Sequence, residues 1–213
     1  MYRRDKILRK IYGYTYKFWT PFRIIRNILL TWRYPWLTVY NWRTEGRYYD
    51  SIWATPRDGG WNKAFFWQMM EDIRKAAKKD GVLKTLKTDD YKSKYGGLRF
   101  YTSGGTHDVN EIIHEYEYLS ENICECCGEP DVGYTKGWIT PICRKCYKRC
   151  YNDTRSYEEC VGNGRMPDFY RYRKASPDKD WEEFSVDIRD KANKIRKRWN
   201  RWHPTRRKEY AKY

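Results

Sequence analysis

Cys124 and Cys127, then Cys143 and Cys146, stand as C-x2-C, fifteen intervening residues and C-x2-C. Thiolates at this spacing can converge tetrahedrally on one Zn2+, because a pair two residues apart lets a single tight turn present two sulfurs to the same ion. Gly128, directly after Cys127, supplies the left-handed or close-approach backbone such a knuckle needs, which makes Cys127 the better ligand of the adjacent Cys126 and Cys127. Gly133, Gly137, Trp138 and Pro141 lie between the pairs and read as a short hairpin. With sulfur in every coordination position nothing is left open for water or substrate. The expected cofactor is therefore one structural zinc, a support for a folded platform and not a catalyst.

Disulfides would need an oxidising compartment, and residues Met1 to Arg4 open no apolar core followed by a small-residue cleavage site. The thiols are expected to be reduced and the chain to stay in the cytoplasm of its host cell. Cys126, Cys150 and Cys160 are left over as idle or buried thiols, and the sequon at Asn152 is a chance match. No window approaches the eighteen or so apolar residues of a membrane span.

The platform's partner is suggested by charge. Lys and Arg number 44 against 28 Asp and Glu, a net charge of +16. Met1 to Tyr48 and Arg189 to Tyr213 each hold 11 basic and 2 acidic residues, so each end carries +9 and the stretch between carries −2. A near-neutral body with two cationic ends suits a polyanion such as nucleic acid. The 21 Tyr and 11 Trp against 7 Phe add rings with polar tips, fit for stacking on bases or equally for building a core poor in aliphatic residues. Tyr14 to Trp19, Tyr40 to Arg43 and Tyr170 to Arg173 interleave such rings with cations or polar residues. Candidate nucleic-acid contacts are Arg23, Arg26 and Arg33 near the start, and Arg189, Lys194, Arg196, Lys197, Arg198, Trp199, Arg201 and Trp202 near the end.

The elements that must position these groups follow from periodicity. A first helix is expected over Thr20 to Arg33, capped by Thr20 with Pro21 at its first position, and with Phe22, Ile25, Ile28, Leu29 and Trp32 as the face that packs on the body. A membrane surface is not the expected partner of that face. After Asp58-Gly59-Gly60, a second helix over Trp61 to Lys79 carries Trp61, Phe65, Met69, Ile73 and Ala76 or Ala77 on one side. Strands follow between Val82 and Thr102, the clearest at Leu98 to Thr102. Thr106 caps a third helix to about Asn122, apolar at Val109, Ile112, Ile113, Tyr116 and Leu119, with Asp108, Glu111, Glu115, Glu117 and Glu121 forming an acidic outer surface. Ser176-Pro177 starts a final amphipathic helix through Trp181, Phe184, Ile188, Ala192, Ile195, Trp199 and Trp202.

The expected fold class is α+β, mainly helical, with a small antiparallel sheet and a four-cysteine zinc module. Because Cys143 and Cys146 run into a helical Tyr147-Lys148-Arg149 stretch, a treble-clef-like order is favoured over a zinc ribbon. Four regions result: 1–54, a basic aromatic-rich segment with the first helix; 55–122, an α+β body; 123–160, the zinc module; and 161–213, a connection and the basic final helix.

Lys94-Tyr95-Gly96-Gly97-Leu98-Arg99-Phe100-Tyr101, the helix after it, and C-x2-C-G-x-P leading to Gly137-Trp138-Ile139 and Cys143-x2-Cys146 resemble a group of mostly uncharacterised bacteriophage-encoded four-cysteine proteins. The resemblance spans about residues 55 to 147 and implies a phage origin and the zinc assignment, without an activity. His107 and His114 lack the companion elements of an HNH nuclease, and no phosphate loop, Ser-His-Asp set or carboxylate pair is present, so no enzyme and no small-molecule substrate are expected. Two functions follow: a zinc-stabilised accessory protein that binds nucleic acid, with RNA or single-stranded DNA favoured, or a phage protein that binds and modulates a host protein such as a defence system, polymerase or ribosome component.

Overall fold

A computed structural model describes residues 18, 20–22, 24–41, 46–52, 59–130, 132–150, 156–162 and, in the final helix, 183, 187, 190, 191, 193–195 and 197. Among them the architecture is α+β with small antiparallel sheets, and the four cysteines lie together in a module at the end of the body.

Helix α1 runs through residue 33, but Phe18 and Thr20 are already helical, so it begins upstream of the expected Thr20 cap. The face expected to pack inward does not. Phe22, Ile25, Leu29 and Trp32 are exposed, Ile28 is half-buried, and Asn27 and Thr31 take the inside. Both polar groups are satisfied there: Arg26 Nη2 donates to Asn27 Oδ1 at 3.1 Å, and Thr31 Oγ1 donates to the Ile28 carbonyl at 2.9 Å. Tyr34, kept out of the helical region at φ −129° and ψ 78° by the proline that follows it, ends α1, and the 3-10 turn Pro35–Leu37 buries Trp36 and Leu37. An antiparallel pair then forms from β1 (Thr38–Asn41) and β2 (Gly46–Ile52), which sequence reading had not anticipated.

The second helix opens with a π turn, Asn62–Phe66, and continues as α2 (Trp67–Lys79). Trp61, Phe65, Met69, Ile73, Ala76 and Ala77 are buried as their spacing requires. Glu71 on α2 ties α1 down: Arg33 Nη2 reaches it at 2.9 Å, the Tyr34 hydroxyl at 3.1 Å and Arg74 Nη2 at 2.5 Å. These donors, Arg74 foremost, lower the Glu71 carboxyl to about 2.

Strands β3 (Lys87–Lys94) and β4 (Gly97–Ser103) pair antiparallel with a bulge between Thr88 and Asp90, and α3 (His107–Ser120) packs on β4. Thr106 caps α3 by accepting from Val109 N at 3.4 Å. The acidic outer surface expected of α3 is corrected at two positions. Glu117 and Glu121 are buried, and Glu117 Oε1 accepts from the Phe100 N–H at 2.8 Å while Ser120 Oγ accepts from Leu98 N at 2.7 Å. The Leu98 and Phe100 N–H groups of β4 thus find their acceptors on helix side chains, which covers that part of the strand edge. Glu121 lies 3.7 Å from the equally buried Arg99.

Rings dominate the core. Trp36, Trp61 and Phe66 are fully buried with Leu37, Met69, Met70, Ile73, Leu98 and Leu119, and Tyr91 meets Phe66 and Phe100 edge-on at centroid distances of 5.6 and 5.1 Å. In the final helix, the buried Ile195 joins this core and Lys191 pairs with Glu115. Trp181, Phe184, Ile188, Ala192 and the Ser176-Pro177 start lie outside the described residues.

Candidate metal centre

Ile123 ends the body and Cys124 begins a tight turn. The Gly128 N–H donates to the Cys124 carbonyl at 2.8 Å, the Cys124 N–H donates to the Glu129 carbonyl at 2.8 Å, and Gly128 holds φ +86°, where a side chain would be strained. Strands β5 (Gly133–Thr135) and β6 (Pro141–Ile142) form the expected hairpin, and helix α4 (Arg144–Cys150) starts immediately after Cys143. Knuckle, hairpin and ligands at a helix start is the treble-clef order. A further short helix, α5 (Tyr157–Cys160), leads to β7 (Val161–Gly162), which pairs with β5 and completes a three-stranded sheet.

The sulfurs of Cys124, Cys127, Cys143 and Cys146 all lie within 4.8 Å of one another, with Cys127 and Cys143 at 3.6 Å. Sulfurs at about 2.3 Å from a tetrahedral ion would be about 3.8 Å apart, so the four residues fit a metal ion. Two backbone N–H groups aim at the cluster: Cys143 N at Cys124 Sγ and Cys146 N at Cys143 Sγ, each at 3.4 Å. Arg149 Nη2 stands 3.8 Å from Cys146 Sγ. Donors of this kind stabilise thiolate charge and orient the ligands. Mutual hydrogen bonds pull the four thiols in opposite directions. Hydrogen bonds from Cys126 and the other three ligands drive the Cys124 thiol far below its ordinary range. Cys127 and Cys143 are held high, foremost through Cys124, and Cys146 is pushed up to about 12 for the same reason. A divalent ion replaces those protons, so its binding releases them.

The body positions the site closely. Gly60 N donates to the Glu125 carbonyl at 2.8 Å, Trp61 Nε1 donates to the Ile123 carbonyl at 2.9 Å, and Ser93 Oγ lies 3.0 Å from Glu125 Oε2. The Tyr134 hydroxyl donates to the Glu121 carbonyl, tying the hairpin to the end of α3. On the far side Ile142, Tyr147, Cys160 and Val161 form a small apolar cluster around the ligands. Cys126 is half-buried beside them, Cys160 is buried, and the Cys150 side chain lies outside the described residues.

The candidate nucleic-acid residues are scattered by comparison. Arg26, Lys194 and Lys197 are exposed, and Arg33 is exposed while paired to Glu71. Lys194 lines a cleft of about 390 Å³ whose other walls include Phe65, Gln68, Asp72, Tyr116 and Ile195. Arg23, Arg189, Arg196, Arg198, Trp199, Arg201 and Trp202 lie outside the described residues, as do the ring-rich stretches 14–17 and 170–173.

A different group of exposed rings emerges on the β3–β4 ribbon and the hairpin of the cysteine module. Trp138 at the hairpin tip is 80% exposed, Tyr95 in the β3–β4 turn 63% and Tyr101 on β4 48%. Lys94 Nζ stands 5.0 Å from the Tyr95 ring centre and Lys92 Nζ 5.5 Å from that of Tyr101. The two loops touch: a Cβ added at Gly96 would fall 2.8 Å from Ile139 Cγ2 and 3.1 Å from Tyr134 Cε1. Tyr95 and Trp138 are each one residue from that contact. Sequence reading noted Tyr95 and Trp138 only as parts of a motif and a hairpin. The signal it passed over is the Lys-Tyr-Gly-Gly turn, where Tyr95 holds φ +55°. Compared with protein-family models, curated proteins and solved structures, the chain matches none.

Proposed function

We propose that the protein is a zinc-stabilised nucleic-acid-binding accessory protein of a phage, favouring single strands. The metal is taken to be zinc because four thiolates in a closed tetrahedral set suit that ion and leave no open position for chemistry. The observation that carries the reading is the exposed pair Tyr95 and Trp138 on adjoining loops, with Lys94 over one of the rings. Exposed rings beside cations form a stacking platform that accepts any base, and the cationic ends track phosphate. The zinc holds the hairpin that carries Trp138, which gives the metal its part in function.

The test is binding of labelled single-stranded RNA, single-stranded DNA and duplex at several salt concentrations. Replacing Tyr95 and Trp138 by Ala should weaken single-strand binding by about tenfold or more, since each stacked base contributes about 1–3 kcal/mol. Replacing Arg196, Lys197, Arg198 and Arg201 by Gln should flatten the salt dependence, each lost phosphate contact lowering the logarithmic slope by about 0.7–0.9. If the native protein binds only at low salt, and both variants bind equally well, the reading fails and the alternative of a phage protein directed at a host protein takes its place.

A further inference from the structure

Phe18, Phe22, Ile25, Leu29 and Trp32 follow one another at spacings of four, three, four and three, which sets them in a single stripe along α1. All five are exposed, from 54% at Leu29 to 73% at Trp32. The opposite side of the helix is the one that meets the body, through Asn27, Thr31 and the half-buried Leu30. An apolar band about 21 Å long, at 1.5 Å per residue, thus faces away from the core. Exposed apolar surface of this extent marks a contact with something else.

What covers it is indicated by the composition of the exposed half. Among the described residues it consists of Phe18, Pro21, Phe22, Ile25, Arg26, Leu29, Trp32 and Arg33, with no carboxylate and no neutral hydrogen-bonding side chain except the Trp32 indole. Arg26 and Arg33 lie one position beyond Ile25 and Trp32, so both edge the same flank of the stripe. Arg33 is already paired to Glu71, so a second copy of the chain would bring Arg26 against a surface whose exposed half offers no carboxylate, which disfavours self-association. A protein groove would meet a rim poor in the neutral polar groups that such interfaces use. Rings and aliphatic side chains edged by the exposed Arg26 match the boundary of an anionic bilayer, where the band enters the acyl region and the Arg26 guanidinium reaches lipid phosphate while Arg33 stays tied to Glu71.

We propose that α1 is an interfacial helix that lies on an anionic lipid surface with Phe18, Phe22, Ile25, Leu29 and Trp32 inserted and the body held above it. Because this face lies outside and does not pack on the body, it is free of the packing that would keep it from a membrane surface. The helix lies on the bilayer and does not cross it: among the described residues no helix is long and apolar enough to span.

Nuclease-treated, zinc-loaded full-length protein is sedimented with vesicles of phosphatidylcholine alone and of phosphatidylcholine mixed with phosphatidylglycerol, and its mass in solution is measured by light scattering. The native chain should bind the mixed vesicles at least tenfold more strongly than the neutral ones, as attraction between basic residues and anionic lipid requires. Ile25→Glu with Leu29→Glu should reduce that binding at least tenfold while zinc content and melting stay unchanged, because both side chains are exposed. Trp32→Ala, which adds no charge, should reduce it severalfold and keeps the test standing if the double variant loses its fold. The proposal is overturned if neither vesicle binds, if both bind equally, if the variants retain full binding, or if the native chain is a dimer that the variants dissociate.

Discussion

The backbone N–H of Gly60 donates to the Glu125 carbonyl at 2.8 Å, across 65 positions of sequence, and this bond seats the start of the second helix on the metal-binding knuckle. A Cβ at Gly60 would fall 2.5 Å from Glu125 O and 2.7 Å from Cys127 N, and closer still to Cys124 O. The obstructing atoms are backbone. They can yield only by displacing the turn that carries Cys124 and Cys127 of the candidate metal centre.

Gly60→Ala should therefore destabilise the fold by about 1–3 kcal/mol through overpacking, and should also weaken metal retention. Urea unfolding combined with the rate of zinc transfer to a chromogenic chelator checks both effects. Unchanged stability would mean that body and knuckle are not rigidly seated.

Each ligand cysteine should be individually necessary. Purified, reduced protein should hold one zinc per chain, and Cys127→Ser should lower that content and the melting temperature together, because site formation and folding are linked. Cys126→Ser leaves the four ligands intact and should change stability by about 0.5 kcal/mol or less. Elemental analysis of the three proteins separates these outcomes, and equal zinc in all of them would contradict the ligand set.

Glu117 is buried as an acceptor for the Phe100 N–H at 2.8 Å. Glu117→Ala should cost about 1–3 kcal/mol by leaving that N–H without its partner, and Glu117→Gln, which keeps a carbonyl oxygen in place, should cost less. Denaturant unfolding of both variants gives the order. A Gln variant as damaged as the Ala variant would mean that charge, and not the hydrogen bond, matters here.

Acid should expose the role of Glu71. Its carboxyl, held by Arg74 and then by Arg33 and Tyr34, sits at about 2 in the folded chain against an ordinary 4.5. A depressed carboxyl contributes stability that is fully present above about pH 4.5 and is lost as pH falls towards 2. The stability difference between the native chain and Glu71→Gln should accordingly shrink between those two values. Thiolate protonation releases metal in both proteins, so the comparison isolates Glu71; a pH-independent difference would show that its ion pairs do not stabilise the fold.

The clustering of Cys124, Cys127, Cys143 and Cys146 was legible in the sequence because metal chemistry constrains residue type and spacing together, and both are local. Helices two and three were legible for a similar reason: apolar residues at Trp61, Phe65, Met69 and Ile73, and at Val109, Ile113 and Tyr116, recur at the period of a helix that buries one side. Periodicity identifies which residues share a face but not what that face meets. On α1 the most apolar stripe lies outside while Asn27 and Thr31, their polar groups satisfied by neighbouring residues, lie within. Glu117 follows Ile113 by four and so lies on the buried side by spacing, yet its charge pointed to solvent. An unpaired strand N–H seventeen residues away in sequence decides the matter, because a buried donor without an acceptor is less favourable than a buried, hydrogen-bonded carboxylate. The seating of Gly60 on Cys124 and the meeting of Gly96 with Ile139 and Tyr134 of the hairpin are likewise long-range contacts of backbone and side chain. They arise only when the helices, the β3–β4 ribbon and the knuckle have packed, and no local pattern encodes the approach of Cys124 to Gly60 or of Ile139 and Tyr134 to Gly96.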